Sequence, residues 1–247
     1  MKAIIAAGGK GERLHPLTDT LPKPMIEVAG KPIIEHIINL FKKNGIADFV
    51  ITLCYLPEKI TDYFGNGRKF GVNIEYIYEK VDFPLGTASN ISSAKSLIGS
   101  TFIVTYGDIL RDLNIADMIK FHKAQNSFTT LNIYKRFGEN PKSMITFDQD
   151  KKIINFIERP VFPVHKQTSD NFVWANGSFY IFEPGVFDFI PENAFTDFGR
   201  DVFPKLLREQ KNLYAFSTEG LFIDIGNMEK LEFARKKFAR KSTHSLT

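Results

Sequence analysis

Ala3-Ile4-Ile5-Ala6-Ala7-Gly8-Gly9-Lys10-Gly11-Glu12-Arg13-Leu14-His15-Pro16-Leu17-Thr18, closed by Pro22-Lys23-Pro24, is the stretch around which this chain is organised. Ile4-Ile5 with flanking alanines reads as a short buried strand. It stops at three glycines within four residues, Gly8, Gly9 and Gly11, and glycine lets the backbone approach a bulky anion closely. Arg13 and Lys23 bracket the loop. Arginine offers a planar fork matched to phosphate oxygens, lysine a compact point charge. A strand, a glycine turn and two fixed cations, in that order, predict a cradle for a polyphosphate.

Two other phosphate loops do not fit. The string G-x-x-x-x-G-K-[ST] does not occur in the chain, so the loop of the P-loop enzymes is excluded. The dinucleotide fingerprint G-x-G-x-x-G runs through Gly9 and Gly11 and then meets Leu14 instead of a third glycine. Its ribose-binding acid should end the second strand, yet Val50-Ile51-Thr52-Leu53-Cys54-Tyr55 carries none. A surface turn with incidental charges is the bland alternative, and the regular elements on either side argue against it.

The chain has 247 residues, enough for one large core or one core with a lobe. Its 43% apolar and 24% charged content is that of an ordinary soluble domain. No apolar run approaches the ~20 residues of a membrane span, and an N-terminus that enters a strand at once reads as carrying no signal peptide. The single cysteine, Cys54, sits in an apolar run and reads as inert core. Together these point to a reducing, cytoplasmic setting. The net charge of +4 is modest. Its basic excess gathers at Arg235, Lys236, Lys237, Arg240 and Lys241, where cations suit a helix C-terminus better than a nucleic-acid surface. The 24 phenylalanines fall mostly on apolar faces and read as core packing.

Beyond the opening loop, Ile33, Ile34, Ile37, Ile38 and Phe41 have helical spacing, with Pro32 before them and Asn44-Gly45 as a stop. Phe49–Leu53 is an unbroken apolar strand of the kind buried in a parallel sheet. Pro57–Phe64 reads as a helix, Val72–Tyr78 as a strand, Ser89–Leu97 as a helix, Thr101–Tyr106 as a strand and Asn114–Lys123 as a helix. Alternation at this spacing predicts a layered α/β sheet. Later strands are expected at Phe128–Tyr134, Met144–Phe147, Ile153–Ile157, Phe172–Phe182, Leu213–Phe216 and Leu221–Ile223. Helices are expected at Gly185–Ile190, Phe198–Glu209 and Met228–Phe238.

The string G-G-x-G-x-R-L-x-P-L-T followed by P-K-P resembles the signature of the sugar-1-phosphate nucleotidyltransferases. Over Gly8 to Pro24 only Glu12 departs, where that family more often carries Thr or Ser. Scattered motifs extend the likeness to roughly residue 235. The resemblance implies a three-layer α/β/α sandwich, with a Rossmann-like, mostly parallel sheet and a substrate-side lobe. It implies a single domain over residues 1–241, with a nucleotide-binding half to 125, a sugar-binding half from 126, and a tail at 242–247. Many relatives add a left-handed β-helix of hexapeptide repeats. No such repeat occurs here, so the chain resembles the short form, closest to mannose- or heptose-1-phosphate guanylyltransferases.

Ligands in such sheets bind outside the carboxyl ends of the strands. Asp108, after Val104-Thr105-Tyr106-Gly107, stands there. A lone aspartate after a strand is usually a turn or a helix cap, but this one matches the family's G-D metal position. Asp224, in Phe222-Ile223-Asp224-Ile225-Gly226, is the second matching carboxylate. Between isoleucines an unpaired charge would cost several kcal/mol, roughly the range for buried polar groups, so it needs a cation. Mg²⁺, hard and oxygen-loving, suits one or two carboxylates completed by substrate phosphates.

Pro84-Leu85-Gly86-Thr87-Ala88 resembles the family's P-L-G-T-A/G turn, which implies that Gly86 and Thr87 face the nucleotide beside Ala6, Gly8, Gly9 and Gly11; Thr87 reads equally as a helix N-cap. Glu79, at the end of a strand, is the carboxylate placed to meet the base. Ile157-Glu158-Arg159-Pro160 resembles E-K-P, which implies that Glu158 accepts sugar hydroxyls and Arg159 grips the sugar phosphate. The family's residue there is Lys, and Arg changes the reach. Asn176, in Trp174-Ala175-Asn176-Gly177-Ser178-Phe179-Tyr180, resembles the sugar-reading Asn of N-x-G-x-Y, or else satisfies a neighbouring backbone group. His15, His36, His122, His165 and His244 show no metal-ligand spacing.

The implied reaction joins a nucleoside triphosphate to a sugar 1-phosphate, giving a nucleotide-sugar and pyrophosphate, with Mg²⁺ as cofactor. Arg13 and Lys23 are the expected catalytic cations. A phosphomonoester has a second pKa near ~6 and is already an anionic nucleophile at neutral pH, so no general base is required. GTP with a mannose- or heptose-type phosphate is the expected pair. The alternative is thymidylyl or uridylyl transfer to glucose 1-phosphate or an amino-sugar phosphate. A non-catalytic nucleotide-sugar-binding regulator is the rival from another class. A glycosyltransferase would want D-x-D, and Asp108-Ile109-Leu110 lacks it. The expected partners are the two substrates, without nucleic acid or membrane, and a homodimer is compatible with the sequence.

Overall fold

The computed structural model describes residues 1–79, 86–138, 140–161, 172–191 and 194–243. β1 (Lys2–Ala6) is buried from Ala3 onward, as its apolar run predicts. Single turns at Glu12–Leu14, Leu17–Asp19 and Lys23–Met25 carry the loop to a short pair, β2 (Glu27–Val28) and β3 (Lys31–Pro32). α1 (Ile33–Lys43) buries Ile33, Ile34, Ile37, Ile38 and Phe41, the face its spacing predicts, and stops at Asn44. β4 (Asp48–Leu53), α2 (Pro57–Phe64), β5 (Asn73–Tyr78), α3 (Ser89–Ser92), β6 (Phe102–Tyr106), β7 (Ile109–Arg111) and α4 (Ile115–Ala124) follow. Then come β8 (Thr129–Phe137), β9 (Ser143–Phe147), β10 (Ile153–Glu158), β11 (Phe172–Phe182), α5 (Phe203–Arg208), β12 (Leu213–Ser217), β13 (Phe222–Asp224) and α6 (Met228–Thr243).

Seven strands form a sheet in the order β12-β8-β11-β6-β1-β4-β5. β11 runs antiparallel to both β6 and β8, whereas β12 lies parallel to β8 and β4 parallel to β5. β11 is thus the antiparallel strand, between β6 and β8, of a mostly parallel sheet, the α/β architecture the sequence predicts.

Two compact units interleave along the chain. The strand unit comprises Met1–Ile4, Phe83–Thr105 and Asn114–Glu219; the loop unit comprises Ile5–Asp82, Tyr106–Leu113 and Gly220–Thr247. In the strand unit Tyr180, Phe182, Phe198 and Phe203 are fully buried. Their rings stack or tilt against one another, with Phe182 and Phe198 centroids 5.2 Å apart. In the loop unit Leu14, Phe41, Phe49 and Phe64 are fully buried. Among the described residues ten phenylalanines are buried core, most of the rest are half-buried, and Phe137, Phe195 and Phe233 are exposed.

Three of the expected helices take another form, two of them for a plain local reason. The helix expected over Ser89–Leu97 is one α-turn, Ser89–Ser92, and then a tighter turn, Lys95–Leu97. Ser92 Oγ donates to the Ser89 carbonyl at 2.8 Å, the kind of back-bonding that competes with a helix. The helix expected over Phe198–Glu209 opens as a wide turn, Phe198–Val202, and becomes α-helical only from Phe203. Pro204 has no N–H to continue the ladder from that turn. The helix expected at Gly185–Ile190 is a tighter 3₁₀ turn, Pro184–Phe189. β7 was not foreseen, being three residues and too short to show a period. Pro84 and Leu85 of the glycine-threonine turn, His165, and His244–Thr247 of the tail lie outside the described residues, while Ser242 and Thr243 continue α6.

Candidate active site

In the loop unit the glycine turn leaves β1 under tight control. The Ala7 N–H donates to Thr52 O at 2.9 Å. A Cβ on Gly8 would lie 3.1 Å from Cys54 Cβ and 3.2 Å from Glu79 Oε2. Cys54 is therefore a half-buried wall of this turn rather than interior core. Burial first, and Glu79 second, push its thiol pKa up, away from nucleophilic use. Burial pushes the Glu79 carboxyl up to about 7. Gly11 has φ +71, where a Cβ would stand 3.0 Å from Thr18 Cγ2 and 3.1 Å from Lys23 Cβ. Thr18 Oγ1 donates to Gly11 O at 3.0 Å, and the Leu14 N–H donates to the same oxygen at 2.8 Å. The loop is pinned by its own signature residues.

Of the two cations, Lys23 reaches a carboxylate directly. Lys23 is 9% exposed, and its ammonium donates to Asp108 Oδ2. The backbone around that pair is equally fixed. The Gly107 N–H donates to Ala6 O at 2.9 Å, and a Cβ on Gly107 would sit 3.1 Å from Pro24 Cγ. P-K-P thus packs on G-D. β7 and β13 pair antiparallel with Asp224 opposite Ile109, and the Ile225 N–H donates to Asp108 O at 3.1 Å. Asp108 and Asp224 are therefore neighbours at one end of one ladder. Asp108 is not a helix cap: the α4 N-cap is Asn114, whose side chain accepts from Asp117 N–H.

Arg13 is exposed along its length, yet a Cβ on Gly226 would lie 3.3 Å from its Nη2 and 3.5 Å from Asp224 Oδ1. The guanidinium and this carboxylate thus flank one glycine. Lys230 Nζ stands 3.7 Å from Asp224 Oδ2. The cation that sequence reasoning required for Asp224 is present as this ammonium, in the first turn of α6, and nothing in the motif announced it. Among the described residues no group of three or more His, Cys, Asp or Glu converges. Two adjacent carboxylates fit a hard ion that draws its other oxygens from phosphates and water.

The strand unit carries a second constellation. Gly86 packs so closely that a Cβ would collide with the Thr196 carbonyl. Ala88 N–H and Ser89 N–H donate to that same carbonyl at 2.9 and 3.2 Å. Ala88, not Thr87, holds the α3 N-cap position. Thr87 Oγ1 instead donates to Asp197 Oδ2 at 2.7 Å and accepts from Phe198 N–H at 3.0 Å. Asp197 Oδ1 accepts from Gly199 N–H at 2.9 Å and Arg200 N–H at 3.1 Å.

Glu158 ends β10 opposite Ser143 of β9. Its carboxylate rests on Gly199, where any Cβ would strike it. Burial, and next the negative charge of Asp197, push its pKa up to about 7 against the opposing pull of Arg159, Arg200 and Lys142. Arg159 is held at φ +48, and its N–H donates to Lys142 O at 2.8 Å. A long side chain kept where glycine costs least marks a strained, demanding position. Asn176 lies at a bulge of β11. Its Nδ2 donates to Tyr180 OH at 2.8 Å, and its Oδ1 accepts from Ser178 N–H at 3.0 Å. The amide keeps one hydrogen and one lone pair beyond these bonds. The Thr196–Asp201 turn was missed from sequence. Its one signal was Asp197 two residues before Gly199, a cap followed by a position needing no side chain.

Arg13, Lys23, Glu79, Asp108 and Asp224 thus sit in the loop unit with Ala6 and the three glycines. Gly86, Thr87, Glu158, Arg159 and Asn176 sit in the strand unit. Comparison with known proteins adds to this geometry. A family model described as nucleotidyl transferase matches residues 2–241. The chain is 34% identical over 241 residues to the UTP–glucose-1-phosphate uridylyltransferase of Synechocystis sp., covering 92% of this chain and 61% of that protein. It is 31% identical over 229 residues to the mannose-1-phosphate guanylyltransferase of Mycobacterium tuberculosis, with the same coverages of 92% and 61%. The chain thus spans about three fifths of the length of these curated relatives. Among solved structures it superposes on HddC from Yersinia pseudotuberculosis with a TM-score of 0.77 and 25% identity, over 96% of this chain and 99% of that one. HddC has also been solved complexed with GMP-PN.

Proposed function

Because the chain belongs to the nucleotidyl transferase family, we propose that it transfers a nucleotidyl group from a nucleoside triphosphate to a sugar 1-phosphate and releases pyrophosphate. The observation that carries this reading is the arrangement in the loop unit: a pinned glycine turn, Lys23 on Asp108, and Arg13 beside Asp224. In-line displacement at phosphorus needs positioning and charge neutralisation more than covalent help. The sugar phosphate, with a second pKa near ~6, supplies its own anionic oxygen.

In this reading Arg13 stabilises the pyrophosphate leaving group and Lys23 the α-phosphate under attack. Ala6, Gly8, Gly9 and Gly11 present backbone to the triphosphate, Glu79 meets the base, and Gly86 and Thr87 are nucleotide-binding residues of the other unit. Glu158 accepts from sugar hydroxyls, Arg159 holds the sugar phosphate, and the spare donor and acceptor of Asn176 read the sugar. Asp108 and Asp224 would hold Mg²⁺, which supplies charge neutralisation for the phosphates when bound.

GTP with a mannose- or heptose-type phosphate is the first pairing, supported by the guanylyltransferase relative and by the GMP-PN complex of a structural neighbour. Guanine offers donors at N1 and N2 that pyrimidines cannot copy, and a site built around them discriminates strongly. The uridylyltransferase relative favours the second reading, uridylyl or thymidylyl transfer to glucose 1-phosphate or an amino-sugar phosphate. A pyrophosphate-release screen of GTP, UTP, dTTP and CTP against a panel of sugar 1-phosphates decides between them. A tenfold or greater preference for UTP or dTTP, about 1.4 kcal/mol, removes the guanylyl assignment and leaves the reaction class intact.

A further inference from the structure

Asp197 lies in none of the family-like motifs, yet its side chain accepts three hydrogen bonds beside the strand-unit constellation. One carboxylate oxygen accepts from the Thr87 hydroxyl at 2.7 Å. The other accepts from Gly199 N–H and Arg200 N–H at 2.9 and 3.1 Å. Its own N–H donates to Asp201 Oδ2 at 2.7 Å. Directly before it, the Thr196 carbonyl receives Ala88 and Ser89 and blocks any side chain at Gly86. Two residues after it, Gly199 provides the flat backbone on which the Glu158 carboxylate lies.

We propose that Asp197 is a positioning residue that ties the Gly86–Thr87 turn to the Glu158 carboxylate, coupling nucleotide recognition to sugar recognition within one unit. This rests on the reading of Gly86 and Thr87 as nucleotide-binding and Glu158 as sugar-binding. Any shift of the Asp197 turn moves both at once: Thr87 through its hydroxyl, and Glu158 through the Gly199 backbone. A charge-assisted hydrogen bond to backbone N–H groups is the stronger kind, which suits a joint that must not slip.

Asp197 also acts on Glu158 through space. The charged groups facing Glu158 are Asp197, which opposes its ionisation, and Arg159, Arg200 and Lys142, which favour it. Removing the Asp197 charge while keeping an oxygen therefore lets Glu158 ionise at lower pH. A residue serving the fold alone has no such signature.

The test measures initial rates of Asp197→Ala and Asp197→Asn with both substrates varied, from acid to alkaline pH, together with thermal unfolding. Asp197→Ala raises the KM for the nucleoside triphosphate and for the sugar 1-phosphate together, each by roughly tenfold, the scale of one lost hydrogen bond to a charged group. In Asp197→Asn the rise of kcat/KM for the sugar 1-phosphate with pH moves to lower pH. The ionisation of the substrate phosphate is common to both proteins and drops out of the comparison. Glu158→Gln separates the two failures. A parent-like sugar 1-phosphate KM in that variant overturns the sugar assignment itself. A raised KM there, with parent-like KM values in Asp197→Ala, overturns the coupling alone. If Asp197→Ala does not fold, Asp197→Asn carries the test, and a pH profile identical to the parent's overturns the proposal.

Discussion

Lys23 donates its ammonium to the carboxylate of Asp108, 85 residues further along the chain. The pair joins the end of the glycine loop to the turn after β6, and each member is the charged residue of its own motif. Lys23 is nearly buried and Asp108 is partly so, which makes a lone survivor costly. Lys23→Met is expected to lower stability by about 1–3 kcal/mol, the penalty for an unsatisfied buried group, and to abolish turnover. The double variant Lys23→Met, Asp108→Asn recovers most of the thermal midpoint but none of the activity. Thermal unfolding beside a pyrophosphate assay checks this, and recovery of turnover in the double variant contradicts it.

Arg13 differs from Lys23 in being exposed, with only its guanidinium set beside Gly226 and Asp224. Arg13→Ala is therefore expected to leave the melting temperature unchanged. It should remove about 2–4 kcal/mol of transition-state stabilisation, the scale of one preorganised electrostatic contact. Activity within a few-fold of the parent removes Arg13 from the phosphate site.

Asp108 and Asp224 are predicted to share one divalent ion. Turnover should require Mg²⁺ or Mn²⁺ and stop with a chelator. Asp224→Asn should weaken Mn²⁺ binding, read by paramagnetic resonance independently of activity, by roughly 10–100-fold, as loss of a ligand-sphere group does. Full turnover in excess EDTA excludes the pair as a metal site.

Glu158 gives the pH dependence. Its carboxyl is held at about 7 in the folded chain, against an ordinary value of 4.5, so between those limits the folded state binds more protons than the unfolded. Stability therefore falls as pH rises from about 4.5 to about 7 and is flat for this group above that. Glu158→Gln should flatten this part of the melting-temperature profile, leaving the like-signed contribution of Glu79, also at about 7. An unchanged slope shows that Glu158 ionises normally.

The alternation of apolar runs predicted nearly every long element, because α1, β4, α2 and β11 bury the residues their periods select. What periodicity missed was short or serine- and proline-broken: β7, α3, and the wide turn before α5. The loop-unit residues were legible because a linear motif holds Gly8 to Lys23 together, and the G-D and I-D-I strings repeat family spacing. Lys230 and Asp197 were not legible. Lys230 meets Asp224 across the short turn between β13 and α6, a turn whose geometry no motif fixes. Asp197 meets Thr87, 110 residues away, and that pairing has no sequence spacing to read.

Nucleotidyl transfer from a triphosphate to a sugar 1-phosphate has a direct readout in phosphorus NMR of the purified chain with GTP, mannose 1-phosphate and Mg²⁺, and the other pairs follow if that one is silent. Pyrophosphate and a diphosphate-linked nucleotide-sugar are expected to appear in equal amounts, with no signal when either substrate is omitted. Orthophosphate or free nucleoside monophosphate as the product, or no turnover with any triphosphate and sugar 1-phosphate, contradicts it.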